Sequence, residues 1–349
     1  MYFLVTIYDN NNYGNRLQNY ATYAFFKKNG LKLTTIKEDY YSIRYKIKTA
    51  IKIIINYNNY RVYYKRRKKF MEFSNIIPSK KYSKKMINDE NSFIIGSDQV
   101  WNPYYDTTTL LHFLPFECKK KISFASSFGV SNINTDPLKD NYKLLNNFNY
   151  ISVREDSGQK IIKKLTGRTD VEVLIDPTML LTAEEWDKVS KKPAMLKTDK
   201  YILNYFLGNL SEERRNEINR VAQENNCEVI NILDKESPFY ECGPSEFLYL
   251  EKNAFLICTD SFHSSVFGIL YNTPFLVFER EDNTVSMNSR LDTLLSKFKL
   301  EDRRYKGKIT KKALKCDYTE AYRILDKERI KSMNFLKTAL DIKDSDKSE

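Results

Sequence analysis

The chain has 349 residues, of which 42% are hydrophobic and 29% charged, and its formal net charge at pH 7 is +12. This composition is globular, which excludes a disordered chain, and the length fits two domains of roughly 150 residues each. Five scattered cysteines without a CxxC pair and only two histidines argue against a disulfide framework and against a structural zinc site.

The predicted elements of the first half alternate between strands and helices. The first strand, residues 2–8, is too short for a signal peptide and has no basic region before it, and no segment has the roughly 20 apolar residues of a membrane span. We therefore expect a cytoplasmic protein. Further strands are predicted at 31–36, 92–95, 121–126, 150–153 and 171–175, and helices at 16–28, 40–72, 138–147 and 157–165.

The second half repeats this alternation after a polar, irregular stretch. Thr182 and Glu185 form a capping box, and we place the domain boundary between residues 176 and 200. Strands are predicted at 201–206, 228–232, 255–258 and 274–278, and helices at 211–225, 245–253, 264–271 and 318–340. The pattern predicts two doubly wound α/β domains, at 1–180 and 181–320, followed by a closing helix and charged tail at 321–349. Ligands of such domains bind at the carboxyl ends of strands, here in a cleft between the domains.

The positive charge is concentrated in the first quarter of the chain. Residues 1–88 contain 19 Lys and Arg against 4 Asp and Glu, a net charge of +15, whereas the remainder has a net charge of −3. The densest part, within residues 40–85, mixes these charges with Tyr and Ile and includes a basic block at residues 65–69. This texture is typical of a surface that contacts anionic headgroups or nucleic acid. It is equally typical of a solvated helical face with a Tyr-rich packed side.

Polar residues follow the first predicted strand. Gly14 permits a tight turn or a close backbone approach, Asn15 could cap the next helix, and Arg16 lies beside that helix N-terminus, where free N–H groups can hold an anion.

The segment FIIGSDQVWNP supplies Gly96, Ser97, Asp98 and Trp101 after a buried strand. An acidic group and an indole ring suit a sugar, which needs both polar and apolar contacts, and a structural turn is the alternative.

Two further strand ends carry charged groups. Arg154 is placed to clamp a phosphate or carboxylate, or to form a salt bridge with Glu155 or Asp156. For Asp176, which precedes Pro177, helix capping or a domain hinge is favoured.

The segment 255–278 reads as strand, polar loop, helix and strand. His263 falls at or just before the helix start, with Asp260, Ser261, Ser264 and Ser265 around it. A helix N-terminus favours a neutral imidazole and presents N–H groups outward, so this position suits acid–base chemistry beside a bound anion. The other histidine, His112, is predicted to pack in the core. The chain has no GxxxxGK(S/T), GxGxxG or GxSxG motif, so nucleotide hydrolysis, dinucleotide binding and serine hydrolysis lose their main support.

Five segments in order, NYGNRLQNYA, IGSDQVWNP, ISVRED, LIDPTMLL and TDSFHSSVFGILYNTPF, resemble the polysaccharide pyruvyl transferase family over about residues 13–295. The resemblance implies two Rossmann-like domains in a GT-B-like arrangement. It also implies transfer of the pyruvyl group of phosphoenolpyruvate onto a sugar, often on a lipid-linked precursor of a capsule or exopolysaccharide, to form a pyruvate ketal.

The resemblance also implies roles for the candidate residues. His263 would transfer the proton. The donor would contact Arg154, Asp260, Ser261, Ser264, Ser265 and Arg290. The acceptor would contact Gly14, Asn15, Arg16, Gly96, Ser97, Asp98 and Trp101. Phosphoenolpyruvate is a co-substrate, and the chemistry requires neither a cofactor nor a metal. The basic segment 40–85 would hold the enzyme at the anionic inner face of the cell membrane, and no nucleic acid is expected.

One position departs from the family pattern. Relatives carry an Arg two residues before the histidine, and here that residue is Ser261. The positive charge for phosphoenolpyruvate would then come from Arg16, Arg154, Arg280 or Arg290. Two other classes remain open: a GT-B-like transferase that uses a nucleotide sugar, and a non-enzymatic protein that binds an anionic surface or nucleic acid.

Overall fold

The structure is a computed structural model that describes residues 1–38, 57–133, 140–281 and 289–342, with side chains from residue 61 onward in the second range. The predicted helical segment 40–56, the start of the helix predicted at 138–147 and the end of the charged tail lie outside the described residues.

The first half of the described chain forms a seven-stranded parallel sheet. Its strands run in the order β3-β2-β1-β4-β5-β6-β7. They are β1 (Tyr2–Val5), β2 (Leu33–Lys37), β3 (Ser79–Lys81), β4 (Ser92–Ile95), β5 (Lys120–Ser126), β6 (Tyr150–Val153) and β7 (Glu172–Val173). The strand order reverses between β1 and β4, which leaves a crevice at their carboxyl ends. The apolar runs predicted these strands because both faces of a parallel sheet are buried, as in β4, where all four residues are buried.

The second half of the described chain forms a four-stranded parallel sheet in the order β11-β10-β8-β9. Its strands are β8 (Tyr201–Tyr205), β9 (Glu228–Asn231), β10 (Leu256–Thr259) and β11 (Phe275–Val277). Here the order reverses between β8 and β10. The predicted α/β class with parallel sheets is confirmed. The predicted boundary at 176–200 falls between the last strand of the first sheet and the first strand of the second.

Helices connect the strands. They are α1 (Tyr13–Lys28), α2 (Tyr57–Ser74), α3 (Asp156–Thr166), α4 (Ala183–Asp187), α5 (Glu212–Glu224), α6 (Pro244–Asn253), α7 (Phe262–Leu270), α8 (Ser289–Lys297) and α9 (Thr319–Leu340). The capping box before α4 is confirmed, since the Glu185 amide donates to Thr182 and the Thr182 amide donates to Glu185. The segment 141–147 is a 3₁₀ helix, and β3 and α8 had no sequence prediction.

Two helices begin two or three residues earlier than predicted. Helix α1 starts at Tyr13 rather than Arg16, because Asn12 and not Asn15 is the N-cap: its side chain accepts a hydrogen bond from the Asn15 amide at 3.2 Å. Helix α7 starts at Phe262 rather than Ser264, which places His263 in its first turn.

An apolar core joins the two halves. Tyr13 of α1 stacks on Phe247 of α6 with ring centroids 4.3 Å apart, and Trp186 packs edge-on against Phe267 in the same cluster. Helix α9 contributes Leu325 to this cluster, and its C-terminal end packs against the first sheet. The loops after β1 and β4 are therefore held opposite the loops after β8 and β10.

The basic block at residues 65–69 lies on α2 and partly faces the protein. Lys65 pairs with Glu241 at 2.7 Å, Lys69 pairs with Glu246, and Arg66 is buried and donates to the Tyr13 hydroxyl. Lys65 and Lys69 thus dock α2 onto the second half, whereas Tyr64 is exposed, which differs from the alternative of a solvated charged face with a Tyr-rich packed side. Within the described ranges, no helix is long and apolar enough to cross a membrane.

Candidate active site

A cleft of about 440 Å³ opens where the strand order of both sheets reverses. The loops after β1 and β4 line one side, and the loops after β8 and β10 line the other. Of the sequence-predicted site residues, five line it: Asn15, Asp98, Ser261, His263 and Arg290. The placement agrees with the general rule that doubly wound sheets bind ligands at such switch points.

His263 stands in the first turn of α7 and is only 6% exposed. Its Nε2 lies 3.7 Å from Oδ2 of Asp176. Its other ring nitrogen lies against α1, since a Cβ added to Gly14 would come within 2.1 Å of His263 Nδ1. The close approach predicted for Gly14 is therefore made to the imidazole, and any larger residue at position 14 would displace it.

Asp176 is buried beneath the cleft and accepts hydrogen bonds through both oxygens. Oδ2 accepts from Ser97 Oγ at 2.8 Å and from Arg154 Nη1 at 2.6 Å, and Oδ1 accepts from the amide and hydroxyl of Thr178. Burial acts to raise the pKa of Asp176, but His263, Arg154 and the Thr178 amide outweigh it and hold that pKa well below its usual range. Asp176 caps the following 3₁₀ turn, as predicted, and it also stands beside the histidine.

Arg154 is buried between two carboxylates and does not line the cleft. Its Nη1 binds Asp176, its Nη2 lies 3.4 Å from Asp98, and its guanidinium carbon lies 4.2 Å from the Phe262 ring centroid. The structure therefore does not bring Arg154 to the cleft wall, and its salt bridges run to Asp98 and Asp176 rather than to the predicted Glu155 or Asp156. The Glu155 carboxylate instead accepts from Ser127 and Phe128.

Several residues predicted on the acceptor side lie away from the cleft surface. Trp101 is fully buried, because its indole packs between Phe128 and Phe148 and donates to the His112 carbonyl at 2.9 Å. His112 lies in the core, as predicted.

Arg16 is buried as well, donating to the Ile7 carbonyl at 3.0 Å beneath the Tyr8 ring. Gly96 and Ser97 lie below the cleft surface. A Cβ on Gly96 would collide with the Phe124 carbonyl, and Ser97 is bound to Asp176. Asp98 does line the cleft, where it accepts a hydrogen bond from the Asn15 side chain.

Three residues predicted on the donor side, Asp260, Ser264 and Ser265, do not line the cleft. Because α7 begins two residues early, its following serines point inward: Ser264 donates to Glu251 at 2.6 Å, and Ser265 donates to the Ser261 carbonyl. The Asp260 carboxylate accepts hydrogen bonds from the backbone amides of residues 207 and 208, at 2.7 and 2.8 Å, and forms a salt bridge with Arg280. Ser261 is the N-cap residue of α7 and lines the cleft, although its side chain makes no capping hydrogen bond.

Positive charge reaches the cleft through two arginines. Arg280 lines it with Nε held 3.1 Å from Asp260, and Arg290 lines it from the first turn of α8. Burial and the neighbouring Arg154 lower the pKa of Arg290, and Asp98 acts in the opposite direction. Among the described residues, no group of three His, Cys, Asp or Glu side chains could hold a metal ion.

The sequence prediction missed several cleft residues. Tyr104, which is 49% exposed, and Leu207, which is 44% exposed, present apolar surface there, and Gln99 and Asp106 present polar groups. Asp9 follows β1 in the cleft wall, and burial raises the pKa of its carboxyl, partly offset by the Asn11 amide. Asp9 and Gln99 had a usable signal, because each follows a strand at a switch point. Leu207 follows β8, which also borders a switch point, and shares that signal, whereas Tyr104 had none.

Glu251, which accepts a hydrogen bond from the inward-pointing Ser264, is expected to make the stability of the fold depend on pH. It is fully buried in α6, and burial raises the pKa of its carboxyl well above the ordinary value, only partly offset by the bond from Ser264. The folded protein therefore binds a proton that the unfolded chain releases. Stability should fall by about 1.4 kcal/mol per pH unit as pH rises from about 4.5 towards the folded-state value.

We expect Glu251→Gln to remove this loss, so that the urea unfolding midpoint of the variant exceeds that of the native protein by an amount that grows as the pH rises above about 5. Glu213→Gln, on the exposed face of α5, is the matched control and should follow the native pH dependence. Parallel curves for Glu251→Gln and the native protein would show that Glu251 does not carry a proton in the fold.

Two parallel sheets facing one polar cleft, with a histidine and two arginines in its wall, define an α/β protein with a candidate site at its strand ends. The sequence profile of the polysaccharide pyruvyl transferase family matches residues 12–283, which is most of the chain. The chain belongs to this family of transferases.

Solved structures resemble the chain more distantly. A functionally uncharacterized protein of Klebsiella pneumoniae is 12% identical, with 88% of this chain and 92% of that chain covered and a TM-score of 0.47. A UDP-GlcNAc 2-epimerase of Methanocaldococcus jannaschii is 14% identical over 93% and 99% of the two chains, with a TM-score of 0.46. The UDP-N-acetylglucosamine 2-epimerase of Rickettsia bellii is 11% identical, with 98% of this chain and 99% of that chain covered and a TM-score of 0.42. No curated protein matches the chain.

Proposed function

We propose that this protein transfers the pyruvyl group of phosphoenolpyruvate onto two hydroxyls of a sugar, on a lipid-linked precursor of a surface polysaccharide, and forms a pyruvate ketal. The proposal includes a GT-B-like pair of domains with the reaction in the cleft between them. The observation that carries it is His263 in the first turn of α7, with Arg280 and Arg290 in the wall of the same cleft. Family membership supports the reaction class.

The cleft wall contains both cations and carboxylates: Arg280 and Arg290 lie beside Asp9, Asp98 and Asp106. Phosphoenolpyruvate carries a carboxylate and a phosphate, and two arginines with the N-terminus of α7 supply cations and N–H donors. Since position 261 is a serine and Arg154 and Arg16 are buried in other contacts, Arg280 and Arg290 take the place of the arginine that relatives carry beside the histidine.

The reaction needs one group that moves protons. The enol double bond gains a proton at its methylene carbon, and a sugar hydroxyl loses its proton as its oxygen bonds to the central carbon. The carbon–oxygen bond to phosphate then breaks, and the second hydroxyl attacks the same carbon while its proton leaves with the phosphate. The ketal and inorganic phosphate are the products. We assign the proton transfer to His263.

The acceptor sugar is assigned to the side of the cleft that carries Tyr104, Asp106 and Leu207. Sugars combine an apolar ring face with hydroxyls, so they suit exposed apolar side chains beside polar ones. Asn102 fixes the loop that presents Tyr104: its side chain accepts from the Tyr104 amide at 2.9 Å and donates to Gln99 at 2.8 Å.

Tyr104→Ala is therefore expected to raise the KM for the sugar acceptor about two- to tenfold, the cost of one aromatic contact, and to leave the KM for phosphoenolpyruvate unchanged. Tyr104→Phe should retain the native KM because it keeps the ring. Steady-state kinetics with each substrate varied in turn measure both values, and Tyr82→Ala, at an exposed tyrosine outside the cleft, is the control. An unchanged acceptor KM in Tyr104→Ala places the sugar elsewhere.

The decisive experiment measures phosphate release from phosphoenolpyruvate by the purified protein with a panel of lipid-linked and nucleotide-linked sugars. Release that requires both phosphoenolpyruvate and an acceptor supports the proposal and identifies the sugar. Absence of release, together with no heat of phosphoenolpyruvate binding by calorimetry, overturns it. Sugar transfer from a nucleotide sugar in the same panel would then identify a GT-B-like glycosyltransferase.

The proposed place of action is the cytoplasmic face of the cell membrane. The outer face of α2 exposes Arg61, Tyr64, Arg67, Lys68 and Met71, a basic surface with apolar side chains. Such a surface suits anionic lipid headgroups, beside which a lipid-linked acceptor is anchored.

A further inference from the structure

The imidazole of His263 lies between two fixed groups. On one side, the Cβ that Gly14 lacks would lie 2.1 Å from Nδ1 and 2.6 Å from both Cγ and Cε1, which places Gly14 over the face of the ring rather than in the direction of the in-plane lone pair of Nδ1. At the ring edge, Nε2 faces Oδ2 of Asp176 at 3.7 Å. Nε2 is buried and has no hydrogen-bond partner among the described residues. The neighbouring Asp176 carboxylate is therefore the candidate acceptor for a proton on Nε2.

Asp176 is held rigidly for this contact. Its Oδ1 is bound by Thr178, and its Oδ2 is bound by Ser97 and Arg154, so the carboxylate cannot rotate away without losing several buried hydrogen bonds. Arg154 is in turn fixed by Asp98 and by the Phe262 ring, which belongs to the helix that carries His263. The orientation of the carboxylate is thereby set by four elements of the fold.

An imidazole next to a fixed carboxylate carries its proton on the nitrogen that faces the carboxylate. For His263 that nitrogen is Nε2, which leaves Nδ1 with a free lone pair. When the ring takes up a second proton, the adjacent negative charge stabilises the resulting cation, as in other histidine–carboxylate pairs of acid–base enzymes. The 3.7 Å separation is beyond hydrogen-bond length, and contacts between catalytic groups are often long before substrate binds.

We propose that Asp176 is a positioning residue that holds His263 in the Nε2-protonated form, so that Nδ1 exchanges the proton with substrate. The catalytic half of this statement rests on the proposed function, whereas the tautomer does not. Sequence reasoning assigned Asp176 only to capping or a hinge, and nothing in its local sequence signals a histidine partner.

The tautomer can be measured directly because the chain has only two histidines. Protein labelled with ¹⁵N-histidine is examined by NMR at about pH 8.5, where an unperturbed imidazole is neutral, and His263→Gln assigns the signals. His112 is an internal reference: its Nδ1 accepts from the Thr109 amide at 3.0 Å, so its Nε2 carries the proton. Unchanged His112 signals show that a variant is folded.

We expect native His263 to be protonated on Nε2 and Asp176→Asn to shift the population towards Nδ1. Asp187→Asn is the control, since this carboxylate pairs with Lys252 at 2.6 Å and belongs neither to the cleft wall nor to the contacts of Asp176, so its His263 signals should stay native. A native Nδ1-protonated ring, or native His263 signals in folded Asp176→Asn, overturns the proposal. If Asp176→Asn fails to fold, Ser97→Ala, which removes one bond to Oδ2, should give a smaller shift in the same direction, and no shift overturns the proposal.

Activity separates this inference from the proposed function. In an active enzyme, Asp176→Asn should lower kcat by at least about tenfold, with little change in the KM for phosphoenolpyruvate. If the tautomer depends on Asp176 but no protein releases phosphate, the pairing stands and the proposed reaction fails. If phosphate is released but Asp176→Asn retains both the native tautomer and the native kcat, the pairing fails and the reaction stands.

Discussion

Replacing His263 with Gln is expected to lower the kcat for phosphate release by about 10²- to 10⁴-fold, the usual contribution of a general acid–base group. Gln has a similar size and keeps a polar end, so α7 and the cleft should remain folded. The effect should fall on kcat rather than on the KM for phosphoenolpyruvate, because the arginines that line the cleft are unchanged.

His112→Gln is the matched control for this variant. His112 is buried in the core and accepts from the Thr109 amide, so its replacement should reduce stability and retain turnover. Circular dichroism and unfolding midpoints of both variants separate loss of fold from loss of chemistry. A His263→Gln enzyme with native kcat would remove the assignment of the proton transfer, and with it the observation on which the proposed function rests.

Gly14→Ala is expected to cost about 10²-fold in kcat, the loss typical of a displacement of about 1 Å at a reacting group. The added Cβ would lie 2.1 Å from His263 Nδ1, and the buried ring can yield only by moving away from α1. Helix propensity predicts the opposite sign for stability, since Ala is favoured over Gly in a helix by about 1 kcal/mol. A large loss of activity at position 14 would therefore report the contact with His263.

Gly158→Ala, in α3, provides the comparison. An added Cβ there would meet Val153 at 3.2 Å, which a small adjustment accommodates, so turnover should stay near the native value. In ¹⁵N-histidine spectra, Gly14→Ala should move the His263 signals and leave those of His112 in place. Native turnover in a folded Gly14→Ala protein would mean that His263 does not work from the position described.

Local sequence patterns were sufficient for most of the fold. Both faces of a parallel strand are buried, so β4, β6 and β10 stand out as short apolar runs bounded by polar residues. The capping box before α4 could be predicted from the sequence because its two hydrogen bonds join residues only three positions apart. The strand ends also located the cleft, since the carboxyl ends of parallel strands meet at one edge of each sheet.

The sequence predicted the directions of the side chains only in part. His263 could be placed at a helix start from its neighbours, but the two-residue error in the start of α7 was enough to turn Ser264 and Ser265 from the cleft to the interior. One residue changes direction on a helix by about 100°, so an error in a boundary becomes an error in a site. Asn15 was mistaken for a cap for the same reason.

The sequence by itself determined the α/β class, the succession of strands and helices and the neighbourhood of His263, because these depend on contacts between residues a few positions apart. Only the tertiary structure decided that Trp101 is buried, that Tyr104 is exposed, that Arg154 joins two carboxylates and that Asp176 faces the imidazole. These pairings join residues far apart in the chain. Which residues are buried, and which charged groups form pairs, depends on which helices and strands pack against one another. A local sequence pattern does not contain that information.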